Sequence, residues 1–204
     1  MLTQQTVKRR GRPPAFNRDE ALENAMQIFW EHGYEGTSMS ELMEAMDMNK
    51  PSIYAAFGNK EELFRKALQK YLSGPSAFVK DAVSEPTARQ VVKVLLTKAV
   101  ELMTAQSTPR GCMIVQGALS CGAESKLIQQ ELISYRSSFE ESLKERFELA
   151  KTNSDLPKDA NTATLAKYVA IIHQGISVQA TSGATKEDLM AVIDIVMKNW
   201  LVSN

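Results

Sequence analysis

This sequence is poor in the residues that most site chemistries need. It holds two cysteines and two histidines in 204 residues. A disulfide framework is therefore excluded. No Cys/His spacing suits a metal, no glycine loop would cradle a phosphate, and no nucleophile elbow occurs. No metal, cofactor or catalytic centre is expected. Apolar runs all fall short of the ~18 residues that a membrane span requires, and no secretory pattern of charged then apolar residues appears. These absences predict a soluble cytoplasmic protein with no membrane partner. Alternation of apolar and polar residues over more than four positions is missing, as is any repeat with a period of about 20–50 residues. Strands, propellers and solenoids are thereby set aside, and an all-α fold remains. Net charge is also absent, with 24 basic and 24 acidic residues.

What is present is a dense set of helix signals between Ser38 and Lys60. Ser38-Met39-Ser40-Glu41 has the spacing of a capping box, in which hydroxyl and carboxylate each satisfy a free amide. Leu42, Ala45 and Met46 share one face of the helix that follows, which stops near Asp47. Asn49 can cap a second short helix carrying Pro51 in its first turn, where a missing N–H costs nothing. Ile53 and Phe57 dock that helix inward and leave Lys50, Ser52 and Tyr54 outward. Gly58 suits a positive φ after it, and Asn59 with Glu62 repeats the capping logic. A helix, a tight turn and a short polar-faced helix form the layout that places a recognition helix in a DNA major groove.

The distribution of charge supports that reading. Lys8, Arg9, Arg10, Arg12 and Arg18 give the first 18 residues five positive charges and no acid. A basic arm on a mildly acidic body is a pattern of nucleic-acid binders, although a solubilising tail has the same composition. Residues 1–15 form this arm, and 16–65 form the helix-turn-helix domain. Its first helix runs from about 18 to 32, with Leu22, Ala25, Met26 and Phe29 on one stripe and Gly33 as its stop. A fourth helix from Lys60 carries Leu63, Phe64, Ala67, Leu68 and Tyr71 and ends at Ser73-Gly74-Pro75.

Residues 66–204 read as a second helical body, for about nine helices in all. One helix holds Val91, Val92, Leu95, Leu96, Ala99, Leu102 and Met103 and is broken by Pro109-Arg110-Gly111. A short segment from Cys112 to Cys121 follows. A long helix then carries Leu127, Ile128, Leu132, Tyr135, Phe139, Leu143 and Phe147. The last two helices, about 160–181 and 185–202, are apolar over more than one face. A helix with two buried faces needs a second partner, most simply another copy of the chain. Val192, Ile195 and Val196 are therefore expected at a homodimer interface.

The residues resemble the TetR/AcrR family of bacterial transcriptional repressors. The likeness runs through His32-Gly33-Tyr34, Gly36-Thr37-Ser38-Met39, Asn49-Lys50-Pro51-Ser52-Ile53-Tyr54-Ala55-Ala56-Phe57 and Asn59-Lys60-Glu61-Glu62-Leu63. Asp47 departs from it, standing where the turn usually carries Gly; Asp tolerates positive φ better than most residues. Further on, Arg110-Gly111-Cys112 and the stretch from Gln174 to Thr185 resemble one subgroup. The resemblance implies a repressor released from a palindromic operator by a small ligand, and makes Tyr54 and Lys60 clamps on the phosphate backbone.

Thr37 and Ser38 stand at the start of the second helix, where the helix dipole favours a phosphate. Lys50 and Ser52 are the base-edge candidates, with Pro51 between them at the front of the recognition helix. Arg9, Arg10 and Arg12 lie in Lys8-Arg9-Arg10-Gly11-Arg12-Pro13, which contains an Arg-Gly-Arg-Pro core similar to an AT-hook that inserts arginines into a narrow minor groove.

The effector end is less defined. A pocket lined by helices spanning 90–105, 112–122, 127–150 and 160–181 would draw on Met103, Cys112, Gln116, Tyr135, Tyr168 and His173. Aromatic residues with few buried charges suit a small, mostly apolar organic ligand. If Cys112 and Cys121 shared one helix they would stand about 13 Å apart, beyond disulfide reach. The sequence leaves two other readings open: a non-specific architectural DNA-binding protein using the arm, and a redox-responsive regulator using Cys112.

Overall fold

Asn17 opens the first helix by accepting the amides of Asp19 and Glu20 with its side chain, a cap that satisfies two otherwise unpaired donors. The computed structural model describes residues 17–119 and 121–201; Arg9, Arg10 and Arg12, and with them the AT-hook-like match, lie outside the described residues. Among the described residues every regular element is helical. The first four helices are α1 (Arg18–Gly36), α2 (Met39–Ala45), α3 (Lys50–Phe57) and α4 (Lys60–Ser73). The body adds α5 (Phe78–Val83), α6 (Ala88–Met103), α7 (Met113–Gln116), α8 (Lys126–Thr152), α9 (Thr162–Thr181) and α10 (Lys186–Lys198). A single 3₁₀ turn, Ala123–Ser125, leads into α8.

The caps fall where the sequence places them. Ser38 and Glu41 form the full reciprocal capping box of α2, Asn49 accepts the amide of Ser52 at the start of α3, and Asn59 with Glu62 closes a second box on α4. Asp47 takes φ 49° between α2 and α3, so the turn keeps its positive φ without glycine. Gly33 interrupts α1 with φ 71° and ψ 178°, and a further turn, Tyr34 to Gly36, continues beyond the break.

One apolar core runs through the described residues from α1 to Trp200. Phe29, Tyr34 and Phe64 stack edge to face, with Phe64 5.1 and 5.2 Å from the other two ring centres. Trp30 and Tyr71 do the same at 4.8 Å, and the cluster continues through Leu95, Leu96, Phe147 and Val169 to Trp200. The expected boundary after residue 65 therefore falls inside α4, whose buried face (Leu63, Phe64, Ala67, Leu68, Tyr71) belongs to that continuous core.

The structure adds to the sequence reading and corrects it. Helix α5 stands where the sequence shows only a short apolar run after Pro75. Cys112 and Cys121 do not share a helix: Cys112 precedes α7 and Cys121 follows it. Leu127, expected inward on α8, is exposed; Ile128 takes the buried position beside it.

Candidate nucleic-acid interface and effector cavity

Helix α3 is too short to hold its own orientation, and its neighbours hold it instead. Ile53 and Phe57 are buried. Arg18 Nη2 donates to the Ala56 carbonyl at 2.6 Å and Lys66 Nζ to the Phe57 carbonyl at 2.7 Å. Two cations thus close the helix C-terminus, where the dipole is negative. Asn24 Nδ2 fixes the end of α2 through the Ala45 carbonyl at 2.9 Å. What remains outward on α3 is Lys50, Pro51, Ser52, Tyr54 and the small Ala55, all exposed. The Lys50 ammonium sits 5.6 Å from the Tyr54 ring centre. Lys60, half-buried, places its ammonium 4.6 Å from the ring centre of Tyr34, and burial lowers its pKa.

Thr37 is not available to a phosphate through its side chain. It is 1% exposed, and its hydroxyl donates to the Gly33 carbonyl at 2.7 Å. The polar residue turns inward because it caps the broken end of α1. Ser38 is exposed, although its hydroxyl already accepts the Glu41 amide at 3.1 Å.

The body contains a cavity of about 450 Å³ between α4, α5, α6, α7, α8 and α9. Met103, Cys112, Tyr135 and His173 all reach it. Gln116 does not; it points to the Thr181 hydroxyl at 2.9 Å. Tyr168 does not either: it lies on the outer face of α9 with Ile171 and Val178, all exposed. Sequence reasoning missed the Phe78, Val79 and Val83 wall supplied by α5, and Arg136, the neighbour of Tyr135 on α8. Within the cavity the Tyr71 hydroxyl donates to Cys112 Sγ at 3.4 Å. Burial pushes the Cys112 thiol up, with the tyrosine bond partly opposing it. A thiol kept protonated in this way is a poor nucleophile. Burial pushes the His173 imidazole down to about 4, so it is neutral at pH 7.

The segment around α7 and helix α8 are hydrogen-bonded to the reading head. Trp30 Nε1 donates to the Gly111 carbonyl at 3.0 Å, and the Tyr34 amide to the Gly117 carbonyl at 2.8 Å. The Gly122 amide donates to Glu35 at 2.6 Å. Arg65 of α4 pairs bidentately with Glu131 of α8, Nε donating to Oε2 at 3.0 Å and Nη2 to Oε1 at 2.6 Å. On the opposite side Ser177 of α9 accepts the Cys112 amide at 2.9 Å, and Arg110 donates to the carbonyls of Ala180 and Ala184 at the end of α9. The segment around α7 is thus fastened to α1 on one side and α9 on the other.

On α10, Ile195 is 63% and Val192 45% exposed, whereas Val196 is 5% exposed and packs inward with Ile193. Successive residues of a helix lie about 100° apart, which carries Val196 from the outer face of Ile195 into the core.

A tripod of α1, α2 and α3 with a capped, polar recognition helix is the reading head of a DNA-binding transcriptional regulator. A family model described as bacterial regulatory proteins of the tetR family matches residues 21–67. The HTH-type transcriptional repressor ComR of Escherichia coli K12 is 32% identical over 97% of this chain and 95% of its own length. A cysteine mutant of the TetR family regulator CifR, solved in complex with 26-bp operator DNA, is 39% identical with a TM-score of 0.88, over 93% of this chain and 100% of that one. The reduced form of NemR from E. coli shares the fold, with a TM-score of 0.75 at 18% identity over 92% of this chain and 97% of its own. The chain belongs to the TetR family of bacterial regulatory proteins.

Proposed function

We propose that this regulator is a homodimeric repressor that leaves a palindromic operator when a small organic molecule fills the body cavity. Lys50 and Ser52 read base edges, Pro51 sets the helix front, and Tyr54, Lys60 and the exposed Ser38 engage phosphates. Residues 16–65 serve as the reading domain and 66–204 as the effector and dimer body, meeting within α4. Arg9, Arg10 and Arg12 add minor-groove contacts beside each half-site, in a protein with no enzymatic role. The partner copy packs on the outer face of α9 and α10, where Tyr168, Ile171, Val178, Val192 and Ile195 are exposed. Gly175 lies in the same stripe, and a Cβ there would meet nothing within 4 Å, which leaves room for a close helix.

The observation that carries ligand release is the position of α7. It forms part of the cavity wall and accepts the amide of Tyr34 through Gly117. A molecule that shifts α7 shifts the end of α1 and the heads with it. Two heads must match groove positions about 34–36 Å apart or a multiple of that turn, so a small tilt suffices. A coupling of about 1–3 kcal/mol gives a roughly 5- to 150-fold change in operator affinity, and linkage requires the operator to weaken ligand binding equally. Fluorescence anisotropy with DNA flanking the coding region tests the repressor; affinity no better than for scrambled DNA removes it. Removing residues 1–12 should flatten the salt dependence by up to about 0.9 for each phosphate that the arm had neutralised; an unchanged slope reduces the arm to a tail.

A further inference from the structure

The body cavity is apolar over most of its wall, yet its charged lining is of one sign. Arg136 and Lys80 line it, and among the described residues no aspartate or glutamate does. Arg136 donates once, through Nη1 to the Ile114 carbonyl at 2.7 Å. Its Nε and Nη2 make no hydrogen bond or ion pair among the described residues. Of the carboxylates nearest to it along its own helix, Glu131 is engaged by Arg65, Glu140 by Lys167 and Glu141 by Lys144. A half-buried guanidinium without an acid is unusual, because desolvation of the charge is then uncompensated; burial accordingly lowers the Arg136 pKa. His173, also on the cavity wall, is 8% exposed. Its ring lies 5.1 Å from that of Phe139, and neither nitrogen has a hydrogen-bond partner among the described residues. These nitrogens are not among the fully buried unpartnered atoms and stay open to water, so both side chains offer hydrogen-bonding positions on the cavity wall that a ligand can take in place of water.

We propose that the cavity takes an apolar molecule bearing a single carboxylate, with Arg136 as the counter-ion, His173 as a neutral hydrogen-bonding partner, and Phe78, Val79, Val83 and Phe139 around the apolar body. This rests on the ligand-release reading and deepens it. A planar carboxylate matches the fork of Nε and Nη2 that the Ile114 carbonyl leaves free. The same guanidinium holds α7 through Ile114, so the anion draws on the group that fastens the cavity wall. A cationic ligand would meet Arg136 and Lys80 with no acid to balance it. A neutral ligand of the same shape would leave the guanidinium as it stands.

The test is calorimetric titration of the full-length protein with matched series of straight-chain and phenyl-terminated carboxylic acids, primary alcohols and primary amines. At least one acid should bind about ten- to a hundred-fold tighter than its alcohol or amine, the range for hydrogen bonds to charged groups. Arg136→Met should erase that preference while the alcohol binds as before, and Arg136→Lys should keep part of it should the methionine variant misfold. His173→Phe should weaken acid and alcohol together. Alcohols or amines that match the acids, a series in which no acid binds, or a preference that survives Arg136→Met would each overturn the proposal. Operator binding by the ligand-free protein is measured alongside: if it stands while the acids fail, only the anionic class is lost, whereas its absence removes the repressor itself.

Discussion

The backbone amide of Tyr34 donates to the carbonyl of Gly117 at 2.8 Å, joining the end of the first helix of the reading head to the end of α7. Gly33 permits that approach. Its φ of 71° is a conformation that L side chains rarely adopt, and a Cβ there would stand 3.1 Å from the Gly117 oxygen. Gly33→Ala should cost about 1–3 kcal/mol, the usual toll of such strain, and loosen the head from the body. Urea unfolding checks the first effect. A midpoint equal to that of the unaltered protein would show that the junction tolerates a side chain.

Thr37 and Lys50 should separate stability from DNA binding. Thr37→Val removes the hydroxyl bonded to the Gly33 carbonyl and should lower stability by about 1 kcal/mol, as for a typical hydrogen bond. Lys50→Ala touches only exposed surface and should leave the unfolding midpoint alone. It should weaken operator binding by about 1–3 kcal/mol if the ammonium reads a base. A large stability loss in Lys50→Ala, with unchanged operator affinity, would reverse the two assignments.

His173 predicts a pH dependence. Its folded pKa lies near 4, below the ordinary value of about 6.5. Below pH 6.5 the unfolded chain takes up a proton that the folded one refuses, so stability falls as pH drops from about 6.5 to 4. The loss reaches about 3 kcal/mol; above pH 6.5 the group has no effect. His173→Gln should flatten the denaturation profile within that window only. An identical profile in both proteins would mean that the imidazole protonates freely in the fold.

The outer face of α10 and its inner face should respond differently to charge. Ile195→Asp places a carboxylate on exposed apolar surface and should give a folded monomer by light scattering, with operator binding weakened by orders of magnitude. Val196→Asp buries the charge in the core and should unfold the chain instead. Folded dimers of the Ile195 variant would move the dimer interface elsewhere.

The reading head was legible because its signals are local. Ser38 with Glu41, Asn49 with Ser52, and Asn59 with Glu62 each satisfy amides within three residues, so the sequence alone places the helix starts. Asp47 could be expected at positive φ for the same reason. Thr37 failed this logic, since a hydroxyl at a helix start looks the same whether it meets a phosphate or the Gly33 carbonyl.

In the body, helical periodicity identified most of the buried faces, but not what lay across from them. Helices α9 and α10 read as apolar on more than one side, and the sequence alone called for a second partner. Only packing decided that Val196 turns inward while Ile195 and Tyr168 turn out, because one residue of rotation on a helix changes the face. Nor could the chain order reveal that Gly117 meets Tyr34, or that Arg136 meets a backbone carbonyl and no acid. Caps and faces are set within a few residues, whereas a cavity and its unbalanced charge exist only once α4 through α9 have closed around them.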